Sequence, residues 1–103
     1  MSTYRIIELE VLRWAENRGI LANSDPKTQC LKFVSEAGEL ADAVAKGNKE
    51  DAIDAIGDVM VTLILLADLM DLDVVKCLEV AHNVIKQRQG KMINGVFVKQ
   101  ADL

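Results

Sequence analysis

The chain has 103 residues and a mass of 11.3 kDa, enough for one hydrophobic core and too little for two, so residues 1–103 read as a single domain and a multidomain enzyme is excluded. Half of the residues are apolar but only 4% are aromatic, with 6 Gly and 1 Pro, a composition that excludes disorder and a turn-rich β sandwich and points to helices. A net charge of −4 argues against wrapping duplex nucleic acid, and the longest apolar run, Val59 to Ala67, falls far short of the ~20 residues needed to span a bilayer.

In chain order, the first helix is expected from about Tyr4 to Arg18, capped by Ser2 or Thr3 and stopped by Gly19. The second opens with Asp25 as N-cap and Pro26 at its first position and runs to Lys46, before Gly47. Asn48 caps a third helix that persists to about Met70, and Asp73 caps a fourth that ends at Gly90. The tail from Lys91 to Leu103 carries Asn94-Gly95 between Met92-Ile93 and Val96-Phe97-Val98, the pattern of a small hairpin or of an arm over a neighbouring subunit. Short connections suit antiparallel neighbours, so the expected fold is an all-α, antiparallel four-helix bundle with a short C-terminal tail or hairpin. From Val59 to Ala67 the third helix is apolar on every side, which suits a central helix or a subunit interface and makes the chain an expected oligomer.

Cys30 and Cys77 are too few and too far apart for a disulfide framework or a zinc site; they read as buried thiols in a reducing cytoplasm, and the N-terminus has no apolar leader. The charge is uneven. Residues 1–75 carry 7 basic and 14 acidic side chains, net −7, whereas residues 76–103 carry 5 basic and 2 acidic, net +3.

The acidic residues have a pattern. On the second helix Gln29, Lys32, Glu36, Glu39 and Ala43 share one stripe, while Leu31, Phe33, Val34, Leu40, Ala41 and Val44 occupy the opposite arc. On the third, Asp51, Asp54 and Asp58 share a face. About the turn at Gly47-Asn48 the heights of Glu39, Asp54 and Asp58 differ by about two residues, ~3 Å of rise, so Glu36, Glu39, Asp54 and Asp58 are expected to converge. Gly38 and Gly57, inside the two helices, would let the backbones approach closely. Four like charges in one cleft call for a counter-charge, and hard oxygen ligands without Cys or converging His favour Mg²⁺, or Mn²⁺, over Zn²⁺. On the fourth helix Glu79, His82, Asn83 and Lys86 recur on one face, followed by Arg88 and Lys91, so Asn83, Lys86 and Arg88 are candidate phosphate contacts beside Lys32. The alternative for Arg88 is a cation favoured by the helix C-terminus. Trp14 could stack a base, though a lone Trp on an amphipathic helix is more often part of the core.

Taken together, Gln29-x-x-Lys32-x-x-x-Glu36-x-x-Glu39-Leu40, then Asp54-Ala55-Ile56-Gly57-Asp58-Val59, then Asn83-x-x-Lys86-x-Arg88, resemble the MazG-like all-α nucleoside triphosphate pyrophosphohydrolases, most closely their short single-domain phage and bacterial forms. The resemblance implies Mg²⁺-dependent conversion of an NTP or dNTP to the monophosphate and pyrophosphate. It implies Glu36, Glu39 and Asp58 as metal ligands, Lys32 and the basic fourth helix as phosphate contacts, and a homodimer or homotetramer. The sequence departs from that family at Ser35, where a further Glu is frequent, and at Ala55, where the glutamate of an E-x-x-D pair belongs; Asp54 is the expected substitute. Glu36, at the border of the apolar arc, is the candidate general base. Two rivals are a di-iron oxidase, suggested by Glu79-x-x-His82 but short of His with one in the whole chain, and a non-catalytic helical oligomerisation or interaction module with a degenerate nucleotide site.

Overall fold

A computed structural model of the protein describes residues 2–103. Its order is α1 (Thr3–Asn17), α2 (Ile20–Asn23), α3 (Pro26–Ala45), α4 (Lys49–Leu69), α5 (Val74–Ile85), β1 (Gly90–Ile93), β2 (Val96–Lys99) and a closing 3₁₀ turn (Gln100–Asp102). Four substantial helices and one small antiparallel hairpin make it all-α, as expected. No helix among the described residues is long and apolar enough to cross a membrane.

The helix starts follow from their caps. Ser2 Oγ accepts from Arg5 N at 3.2 Å, Asp25 Oδ1 from Thr28 N at 2.8 Å, Asn48 Oδ1 from Asp51 N at 3.0 Å and Asp73 Oδ1 from Val75 N at 2.9 Å, each satisfying an amide that the first turn leaves free. Gly19 and Gly47 turn the chain with φ of 76° and 69°, the left-handed conformation in which glycine carries no Cβ penalty. Two boundaries differ from expectation. A single helical turn, α2, follows Gly19, with Asn23 Nδ2 donating to Gly19 O at 2.7 Å. The last helix ends at Ile85 rather than Gly90, because Gln89 O accepts from Gln100 N at 2.7 Å and commits residues 86–89 to the hairpin's base.

The hairpin pairs Gly90 with Lys99 through Ile93 with Val96, turning at Asn94 (φ 50°) and Gly95 (φ 83°), the two-residue geometry that Asn-Gly favours. Gly90 is required there by space, since a Cβ would run into Val98 O, the Phe97 ring tip at 2.8 Å and Lys99 Cα at 2.9 Å.

α3 and α4 form the main packed pair, α1 lies across α4, and α5 meets α4 near its own start. The core between them is small: Ala15, Ala43, Ala55, Ile64, Leu65, Ala67 and Thr62, with no large side chain fully buried. On α3 the polar stripe faces inward, burying Gln29, Glu36 and Ala43, while Leu31 stands 72% exposed with Val34 and Val44 beside it. α4 is the central helix, yet Ile53, Ile56, Met60 and Leu63 remain exposed. Cys30 and Cys77 are exposed rather than buried, because Cys30 lies on the outer side of α3 and Cys77 lines an open surface groove at the start of α5. Gly38 and Gly57 do not mark a close helix contact either; a Cβ at each would meet nothing within 4 Å.

Candidate functional site

Where the inward stripe of α3 meets α4, a cavity of about 430 Å³ is lined at one end by Lys32, Glu36, Asp58, Thr28 and Gln29 and at the other by Trp14, Ile20, Val61 and Leu65. Glu36 is the centre of its polar end. It is 7% exposed, its Oε1 lies 3.2 Å from Lys32 Nζ one turn away, and its Oε2 is buried without any hydrogen-bond partner. A buried carboxylate oxygen without a donor is costly, so this atom has the chemistry of a group awaiting a cation or a proton.

The neighbouring carboxylates register the same deficit. Glu39 titrates above the ordinary carboxylate range, first because its proton can be shared with Glu36, then because of the Glu36 charge. Asp58 is also raised, first by burial and then by the charges of Asp54 and Glu36, with Lys32 opposing. The four carboxylates therefore share one field.

They do not share one enclosure. Glu36 and Asp58 face the larger cavity, whereas Glu39 and Asp54 line an adjoining hollow of about 210 Å³ with Asp42, Asp51, Ala43 and Ala55. Among the described residues no group of three or more His, Cys, Asp or Glu is gathered closely enough to hold a metal ion. Glu39 and Asp54 are turned to solvent, where like charges repel least, while Glu39 stays within proton-sharing reach of Glu36 and Asp54 lines a further hollow with Asp58, so the four carboxylates are neighbours spread over adjoining hollows rather than gathered about the one point expected from the spacing. Ala55 is 5% exposed and opens onto the same hollow as Glu39 and Asp54, so the position lacking its glutamate faces the acidic cluster and Asp54 stands next to the gap.

Of the substrate-contact candidates, Lys32 lines the cavity. Asn83, Lys86 and Arg88 are absent from its walls: Asn83 is on exposed α5, Lys86 is its C-cap, and Arg88 lies beyond the helix. Trp14, read as core from its helix, is 46% exposed and forms part of the cavity wall. Gln29, whose Nε2 donates to Ser24 Oγ at 3.1 Å, stood in the sequence as a member of the α3 stripe and the first residue of its motif, without a role; its burial beside Thr28 gives the cavity an amide.

With that arrangement in view, the phosphoribosyl-ATP pyrophosphohydrolase family model matches residues 18–87, which hold α3, α4, α5 and all four carboxylates. The chain belongs to this family. The family lies within the MazG-like all-α superfamily and comprises pyrophosphohydrolases of nucleotide phosphoanhydrides, so the resemblance read from the motifs holds at superfamily level. The chain is also similar to a protein of Haemophilus phage HP1, described as an uncharacterized 18.2 kDa protein of the rep-hol intergenic region, at 44% identity over 62 residues. That match covers 59% of this chain and 37% of the phage protein's length. No solved structure matches the chain.

Proposed function

We propose that the protein is a Mg²⁺-dependent nucleoside triphosphate pyrophosphohydrolase, converting an NTP or dNTP to the monophosphate and pyrophosphate. The observation that carries the reading is Glu36 Oε2, a buried, donorless carboxylate oxygen at the polar end of a cavity with an apolar far wall. Its chemistry fits a divalent cation, which Glu36 and Asp58 would hold from the cavity side once it drew in Glu39 and Asp54, which stand apart without it, from the adjoining hollow; Mn²⁺ would suit the same oxygens. When bound, the ion supplies charge neutralisation for the triphosphate and acidifies a water.

The chain's own residues account for the rest. Lys32, on the cavity wall, places an ammonium against phosphate oxygens. Water attacks the α phosphorus, the bond from that phosphorus to the oxygen bridging it to the β phosphorus breaks with its electron pair leaving on pyrophosphate, and Glu36 accepts the water's proton. Trp14, Ile20, Val61 and Leu65 exclude water from the other end and leave room for a base. Asn83, Lys86 and Arg88 join the phosphate contacts from a neighbouring copy, since they do not line their own chain's cavity. Self-association as a homodimer or homotetramer completes the reading, and the exposed apolar arc of α3 supports it. Cytoplasmic nucleotide is the fitting substrate pool.

The test is pyrophosphate release from a panel of NTPs, dNTPs and phosphoribosyl-ATP, with and without Mg²⁺, for the protein and its Glu39→Gln and Asp58→Asn variants. Metal-dependent release that falls at least about 100-fold in both variants, with helicity unchanged, is expected. Release from phosphoribosyl-ATP alone would narrow the substrate to the family's eponym. Silence across the panel would favour the non-catalytic module, for which the buried Ala55 in place of a glutamate is the specific supporting observation.

A further inference from the structure

The segment from Lys76 to Phe97 is unlike the rest of the chain. Every one of its residues except Gly90 is exposed, so the rest of the chain covers α5 beyond its first turn, and both sides of the hairpin, only in part. Leu78, Val80, Val84, Ile85, Met92, Val96 and Phe97 are all exposed apolar side chains on it. Helices of this length are marginal alone in water, and so is an isolated two-stranded hairpin. What ties the segment to the body is its root: Arg5 on α1 donates to both oxygens of Asp73, the N-cap of α5, at 3.1 and 2.9 Å.

Beside that root lies a strongly apolar groove of about 440 Å³, lined by Tyr4, Met60, Leu63, Met70, Leu72 and Cys77 among others. The chain's own hairpin cannot fill it, because the groove flanks the start of α5 and the hairpin follows the end, ~18 Å of helix further on. A second copy related by a two-fold axis would fill it. Two α5 helices packed antiparallel bring the end of each against the start of the other, and each hairpin then lies over the partner's groove.

Charge and area agree. Residues 76–103 carry net +3 and residues 1–75 net −7, so an arm laid on another copy's body pairs opposite charges. The protein exposes 7811 Å², against about 5,700 Å² for a compact monomer of this mass, and the excess, about 2,000 Å², is what a protomer of an obligate dimer hides.

We propose that α5 and the hairpin form an exchange arm that docks on the α4–α5 groove of a second copy of this chain. The proposal rests on the self-association put forward above and is independent of the hydrolase chemistry. Its test is the solution mass, by light scattering, of the full chain and of Val80→Glu and Val96→Asp, both at exposed positions. The assembly is expected to be larger than a monomer and to fall by half or more in each arm variant with helicity retained. Hydrogen exchange of the wild-type chain gives a reading that needs no variant: peptides within residues 76–99 should be protected at high concentration and lose that protection at least tenfold on dilution. An assembly that keeps its mass in both variants and exchanges equally at both concentrations overturns the arm while leaving self-association through another face. A wild-type monomer at micromolar concentration overturns both.

Discussion

Asp58 is held in the folded protein at a cost. Burial and the charges of Asp54 and Glu36 raise its pKa, as Glu36 raises that of Glu39, so the folded state binds these protons more tightly than the unfolded chain does. The sign follows: stability is fully present below the unfolded carboxylate value and declines as pH rises through the raised folded values. Asp58→Asn removes the penalty outright. In metal-free buffer near pH 7 it is expected to melt higher than the wild type, with the gap closing towards pH 4, while losing the metal-dependent activity. Scanning calorimetry in chelator at several pH values checks this, and an Asp58→Asn protein that melts lower at every pH would show that Asp58 has a structural partner. The opposite case sits at Asp73, whose pKa is lowered first by its hydrogen bonds from Arg5. Its contribution is present above the ordinary carboxylate value and is lost as pH falls through the folded one.

At the scale of the helix, Gly38 tests how α3 is used. A Cβ there meets nothing within 4 Å, so within one chain Gly38→Ala should gain about 0.5–1 kcal/mol from helix propensity alone. Urea unfolding measures it; a loss instead would mean that this side of α3 is covered by another copy. The same helix shows which features could be read in advance. Its start and stop were legible because Asp25, Pro26 and Gly47 act through their own backbone geometry, and the same holds for Asn48 and Asp73. The end of α5 was not, because Lys86-Gln87-Arg88-Gln89 holds no helix breaker before Gly90, while the bond from Gln100 N to Gln89 O that draws this stretch to the hairpin is long-range. The place of Glu36 at an apolar border was legible from the wheel, whereas the spread of the carboxylates over adjoining hollows was not, since spacing fixes height and face but not how unneutralised charges settle. Nor could the exposure of Cys30, Leu31 and Val34 be foreseen from a pattern read as one chain's core.

For the whole molecule, these outward apolar faces decide how it should melt. A radius of gyration of 16.2 Å against about 13 Å for a compact chain of this length, together with a core built mostly of alanines, leaves one protomer short of the burial that offsets its conformational entropy. If association supplies the missing burial, as proposed above, folding and association are one equilibrium. A hundredfold rise in protein concentration should stabilise a dimer by about 2.7 kcal/mol, which for a unit of two such chains is roughly 5–10 °C in Tm. Circular dichroism melts at 1 and 100 µM check it directly. A Tm that does not move would mean that the α3–α4 pair and its small core suffice alone, and that the exposed Leu31, Val34 and Ile53 face water in the working protein.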